Sequence, residues 1–125
     1  MTQRILVVED QEDNRRIIRD LLVSAGYELI EAADGEAGVR LAETERPDLI
    51  LMDIQLPLLD GHEATRRIKQ NPELRHIPIV VVTSYALSGD DVKAMEAGSD
   101  AYVAKPFSPR ELLATIRKFL GEAKG

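Results

Sequence analysis

The sequence predicts an α/β protein, with a doubly wound, five-stranded parallel sheet wrapped by helices on both faces. Three observations predict it. Short apolar runs alternate with segments of helical period all along the chain, the mark of repeated strand–helix units. The runs Ile5 to Val8, Leu49 to Met52 and Ile79 to Val82 are apolar without interruption, as strands covered on both sides must be. The 125 residues suit one sheet, one core and one domain spanning residues 1–125.

The elements follow in order. Ile5 to Val8 is the first strand. The first helix covers roughly Glu12 to Ala25, with Ile17, Ile18, Leu21 and Leu22 on its core face and Arg15, Arg16, Arg19 and Asp20 on the other. Gly26 stops it. Tyr27 to Ala32 forms a weaker, more peripheral strand. A second helix runs from about Gly35 to Glu45 behind Asp34 as N-cap, and Pro47 ends it before the third strand. Asp60 with Glu63, Ser88 with Asp91 and Ser108 with Glu111 have the spacing of capping boxes and start the third, fourth and fifth helices. Ala101 to Ala104 is again a weak strand, which leaves the first, third and fourth strands central. Pro109 suits the first position of the last helix, which buries Leu112, Leu113, Ile116, Phe119 and Leu120 and stops at Gly121.

Composition excludes several classes of function. At 44% hydrophobic and 30% charged residues, the chain has the balance of a folded globular protein. No run approaches the ~18 apolar residues of a membrane span, and no secretory segment precedes the first strand, so a cytoplasmic location and no membrane partner are expected. With no cysteine, thiolate metal sites and cysteine nucleophiles are excluded. A net charge of −6, without a basic stripe, argues against direct binding of nucleic acid.

In an open parallel sheet, ligands sit beyond the carboxyl ends of the strands. The first strand is followed by Glu9 and Asp10, the third by Asp53, the fourth by Thr83 and Ser84, and the fifth by Lys105 and Pro106. Any one of these alone reads as the polar start of a loop, but together they bring carboxylates, hydroxyls and an ammonium to one edge. Clustered carboxylates repel by roughly 1 kcal/mol per pair at 4 Å in water and about 4 kcal/mol at an effective dielectric of 20. A hard cation with oxygen ligands offsets this, and Mg²⁺ is the usual choice beside a phosphate. Asp10 and Asp53 are the expected direct ligands. Asp53 is then placed to act as a carboxylate nucleophile toward phosphorus, with Lys105 and the Thr83 hydroxyl stabilising the equatorial oxygens.

These residues carry a resemblance. Ile5 to Asp10 (ILVVED), Pro47 to Pro57 (PDLILMDIQLP), Asp60-Gly61, Ile79 to Ser84 (IVVVTS), Glu96 to Asp100 (EAGSD) and Ala104 to Phe107 (AKPF) are similar, over essentially the whole chain, to receiver domains of two-component response regulators. The resemblance implies the flavodoxin-like strand order 2-1-3-4-5 known from the chemotaxis regulator. It implies Asp53 as phosphoacceptor, Glu9 and Asp10 as the acidic pair holding Mg²⁺, the Gln55 carbonyl as a third metal ligand, and Lys105 on the phosphoryl oxygens. A cis peptide before Pro106 would aim Lys105 inward. Thr83 would swing toward the phosphoryl group and Tyr102 would turn inward behind it, remodelling the face of the fourth helix, fifth strand and fifth helix. Glu9 stands where an aspartate is often found, and the side chain at Gln55 affects hydrolysis of the phosphoryl group. The implied partners are a histidine kinase or histidine phosphotransfer protein and a downstream protein. The implied catalysis is limited to the domain's own phosphorylation and dephosphorylation. Tyr85-Ala86-Leu87 resembles stand-alone receivers of bacterial cell-fate control and receivers of hybrid kinases.

Other readings are weaker on the residues. An aspartyl-phosphate phosphatase usually carries a second aspartate two residues after the nucleophile, where this chain has Gln55. In a flavodoxin-like electron carrier, the acidic loop Glu9 to Asp13 would repel the flavin phosphate. A docking receiver that works without phosphorylation is the serious rival. His62-Glu63 begins like a metal-binding helix, but Arg66 stands where the second histidine is needed. His76 lies in a polar connection and is given no role, and Met52 and Met95 read as packing residues.

Overall fold

The computed structural model describes residues 2–54, 56, 59–83, 98–105 and 107–121, with Thr83 described by its backbone alone. The elements are β1 (Arg4–Val8), α1 (Glu12–Ser24), β2 (Glu28–Ala32), α2 (Gly35–Glu45), β3 (Leu49–Asp53), α3 (Gly61–Gln70), β4 (Ile79–Thr83), β5 (Ala101–Ala104) and α4 (Pro109–Leu120). The helix expected after Ser88 falls outside the described residues, so α4 is the helix expected as the fifth.

All pairings are parallel and the strand order is β2-β1-β3-β4-β5. The order reverses at β1, whose neighbours are β2 on one side and β3 on the other. Because side chains alternate along a strand, each central strand feeds two cores. Leu6, Val8, Ile50, Met52, Ile79 and Val81 meet Ala42 of α2 and Ala64 and Ile68 of α3. Ile5, Val7, Leu49, Leu51 and Val80 meet Ile18 and Leu22 of α1 and Leu112 and Ile116 of α4. Full burial of each such aliphatic side chain contributes about 1.5–3 kcal/mol, which is why these runs carry no polar residue.

The caps agree with the sequence in most places. Asp34 Oδ1 accepts from Ala37 N–H at 2.8 Å, Asp60 Oδ1 from Glu63 N–H at 2.9 Å, and Ser108 Oγ from Glu111 N–H at 3.1 Å. Gln11 caps α1 by position but makes no side-chain cap bond. Small residues let α2 lie close on the sheet: a Cβ added at Gly38 would come within 2.8 Å of Val8. At the sheet's amino edge, Gln3 Nε2 donates to Leu120 O at 2.9 Å and the Tyr27 hydroxyl to Gly121 O at 3.4 Å, anchoring the end of α4.

Several side chains depart from expectation. Ile17 is 62% exposed and Phe119 37% exposed, so neither belongs to the core. Both lie at the margins of their apolar stripes, where the position of the neighbouring helix decides coverage. Arg15, read as solvent-facing, is only 15% exposed, because its head folds back over the start of its own helix. Tyr27, read as the first residue of a peripheral strand, is buried and precedes β2 rather than starting it.

Candidate functional site

Strand parity builds the site. Glu9 continues the series Ile5, Val7, and Asp53 the series Leu49, Leu51, so both carboxylates emerge on the α1 side at the carboxyl edge of adjacent strands. The register carries this through the sheet: Val8 lies opposite Met52, Asp53 opposite Val82, and Thr83 opposite Ala104. Lys105 leaves β5 one residue later, on the same edge. A small cavity there is floored by Val7, Ile18, Leu51 and Val82 and rimmed by Glu9, Asp53 and Lys105.

Glu9 and Asp53 are 2% and 5% exposed, whereas Asp10 is open to solvent. Each of the three carboxylates offers an oxygen, and these oxygens all lie within 4.8 Å of one another. Lys105 Nζ faces Glu9 Oε1 at 3.5 Å and Asp53 Oδ2 at 3.4 Å. Glu9 Oε2 is buried and has no hydrogen-bond partner among the described residues. Burial pushes the Glu9 carboxyl above its ordinary value, a hydrogen bond and the charge of Asp53 push the same way, and Lys105 opposes them. Partial loss of hydration also raises Asp10, with Glu9 as the next cause. Among the described residues, three carboxylates share one ammonium, that of Lys105.

A pH dependence follows. Glu9 is raised above its ordinary 4.5, so the folded protein holds this proton more tightly than the unfolded chain does. The associated stability is present below that value and is lost as pH rises through the higher folded value. Glu9→Gln removes this loss. In chelator, the variant is expected to melt above the wild type at pH 7 by an amount worth about 1 kcal/mol, with the difference vanishing near pH 4. Thermal melts across that range check it; equal melting at pH 7 would refute the electrostatic account.

The structure brings together Glu9, Asp10, Asp53 and Lys105. It places the Thr83 backbone beside them, while the Thr83 side chain, Gln55, Ser84 and the peptide before Pro106 lie outside the described residues. Tyr102 is on β5 and 42% exposed, pointing away from the core in this conformation.

Two contributors to the site escaped the sequence reading. Gly61 entered the sequence reading only as part of the Asp60-Gly61 pair, but its α-carbon packs on the acceptor loop: an added Cβ would lie 2.1 Å from the Asp53 carbonyl oxygen and 2.8 Å from the Ile54 Cα. The adjacent Asp60 N-cap was the available signal. Arg15 donates to the Glu9 carbonyl, a contact that no periodicity indicates.

Comparison with known proteins agrees with this geometry. Residues 5–117 match the family model described as the response regulator receiver domain. The polar-differentiation response regulator DivK of Brucella ovis is 44% identical over 98% of this chain and 100% of its own length. The receiver domain of the sensor histidine kinase PA1611 of Pseudomonas aeruginosa, solved with a magnesium ion in its active-site cleft, is 43% identical. It superposes with a TM-score of 0.91, covering 97% of this chain and 99% of that one. The chemotaxis protein CheY4 of Vibrio cholerae is 27% identical with a TM-score of 0.89, over 95% of this chain and 99% of its own.

Proposed function

The chain belongs to the response regulator receiver domain family, and from that premise we propose that it is a phosphoryl-accepting switch with Asp53 as the acceptor. The observation that carries this reading is the buried Asp53 carboxylate, with Lys105 Nζ at 3.4 Å and two further carboxylates within 4.8 Å.

The residues fit a hard divalent cation. Among the described residues, Glu9 Oε2 is buried without a partner, three carboxylates share one ammonium, and every candidate ligand atom is oxygen. Glu9, Asp10 and Asp53 would hold Mg²⁺, with the Gln55 carbonyl as a further ligand. When bound, the ion supplies charge neutralisation and polarises the phosphoryl oxygens. The magnesium ion in the Pseudomonas receiver supports this choice.

The chain's own residues do the rest. An Asp53 carboxylate oxygen bonds to phosphorus as the bond from phosphorus to the donor breaks, and the donor leaves with that electron pair. The product is an aspartyl phosphate. Lys105, already within reach of Asp53, binds a phosphoryl oxygen, and the Thr83 hydroxyl donates to another. The apolar floor of Val7, Ile18, Leu51 and Val82 limits water behind the acceptor. The donor is a histidine kinase or a histidine phosphotransfer protein.

The new group brings about −1.5 to −2 charge to the edge that Thr83 and Lys105 share. Drawing Thr83 toward it shifts a two-state equilibrium in which Tyr102 turns inward. A complete reversal, from 1:99 to 99:1, needs about 5.5 kcal/mol of differential stabilisation. The face next to β5 and α4 then presents a different surface to a protein partner.

Intact mass after incubation with acetyl phosphate and Mg²⁺ tests the chemistry. The expected result is the gain of one phosphoryl group, abolished by chelator. No gain from the folded protein would favour a receiver that docks without phosphorylation.

A further inference from the structure

Arg15 lies six residues beyond Glu9, on the first turns of α1. Its Nη1 donates to the Glu9 carbonyl oxygen at 2.9 Å, in a partly buried contact that is not one of the helix's own bonds. The same peptide chain is held on its other side, where Glu9 N–H donates to Ala32 O at 3.0 Å. The rest of the guanidinium is fixed as well. Nη2 pairs with Glu12, and Nε faces Glu31 Oε1 at 3.5 Å. Glu31 stands in register with Val7 on the neighbouring strand and is gripped by Arg19 at 2.7 and 2.8 Å.

From this we infer that Arg15 is a positioning residue for the metal-binding pocket, setting the peptide that joins Glu9 to Asp10; the inference rests on the Mg²⁺-assisted reading above. Two residues in succession on that peptide are proposed ligands, so a rotation of its plane moves both carboxylates. Gln11 does not restrain the turn through a side-chain cap, which leaves the Arg15 bond as the side-chain restraint on this carbonyl among the described residues. Arginine suits the task because one planar fork can donate to the carbonyl while its other nitrogens meet Glu12 and Glu31. Residues that orient ligands in this manner typically change metal affinity 10- to 100-fold when removed.

The test is Mg²⁺ binding to the full chain by titration calorimetry, with phosphorylation by acetyl phosphate followed in parallel. Arg15→Gln is expected to weaken Mg²⁺ binding roughly tenfold, while the phosphorylation rate at saturating Mg²⁺ stays within about twofold of wild type. Arg15→Lys, which keeps one donor for the carbonyl, is expected to recover most of the affinity. Arg19→Gln loosens the same ion-pair cluster without touching Glu9 and should leave Mg²⁺ binding unchanged. An unchanged constant in Arg15→Gln, or equal weakening in Arg15→Gln and Arg19→Gln, would overturn the assignment alone. Absence of Mg²⁺ binding by the wild type would instead overturn the metal reading on which it stands.

Discussion

Asp53→Asn is expected to take no phosphoryl group under conditions that modify the wild type, and to melt at a higher temperature. The amide has nearly the same shape as the carboxylate but no ionised oxygen to attack phosphorus, so modification should fall to background. The stability gain follows from the same geometry. Asp53 is almost wholly buried beside Glu9 and raises the proton affinity of that neighbour. Removing its charge relieves a repulsion worth up to roughly 4 kcal/mol per pair at an effective dielectric of 20. Loss of the Lys105 contact at 3.4 Å takes back part of this, leaving about 1 kcal/mol. Intact mass reads the first effect and thermal melting in chelator the second. Phosphorylation that persists in a well-folded Asp53→Asn would place the acceptor elsewhere. A loss of phosphorylation accompanied by lower melting would mean that Asp53 supports the fold rather than straining it.

Gly61→Ala is expected to destabilise the protein by about 1–2 kcal/mol, a substantial loss for so small a change. The added methyl would sit 2.1 Å from the carbonyl oxygen of Asp53 and 2.8 Å from its carbonyl carbon. These are backbone atoms that cannot rotate out of the way. Overpacking of this kind costs roughly 1–3 kcal/mol, and the better helix propensity of alanine returns at most about 1 kcal/mol. Because β3 and α3 meet through the Gly61 N–H to Ile54 O bond of 3.1 Å, the strain falls on the acceptor residue itself. The variant should therefore show both a lower denaturation midpoint and slower phosphorylation. Wild-type stability would show that the β3–α3 connection is loose, and with it the placement of Asp53.

How much of this was legible depends on what each feature asks of the sequence. The central strands were plain because burial on both faces leaves no room for polar residues between Ile5 and Val8 or between Leu49 and Met52. The site was plain for a related reason: Glu9, Asp53 and Lys105 break those apolar patterns at the carboxyl edge, where parity and register bring them together. Features that depend on a third element were hidden. Whether Ile17 or Phe119 is covered is decided by the lateral position of a neighbouring helix, which periodicity does not encode. Arg15 has a long stem that can lie along the protein while its head turns inward, so a helical projection assigns it to solvent. Gly61 is required by a close approach between two backbones, and a turn would ask for the same residue.

The anchoring of α4 has a practical consequence for assays. Leu120 and Gly121 are tied by Gln3 and Tyr27 to the edge where the strands begin, and Asp53 lies where they end. Strands of five residues, at about 3.3 Å per residue, separate the two edges by roughly 16 Å. A fluorophore or immobilisation tag appended beyond Gly121 therefore starts out on the opposite pole of the molecule from the acceptor. Surface-captured protein can be presented with its reactive edge toward the solution, and a donor fluorophore at that pole can report docking at the other without standing in its way.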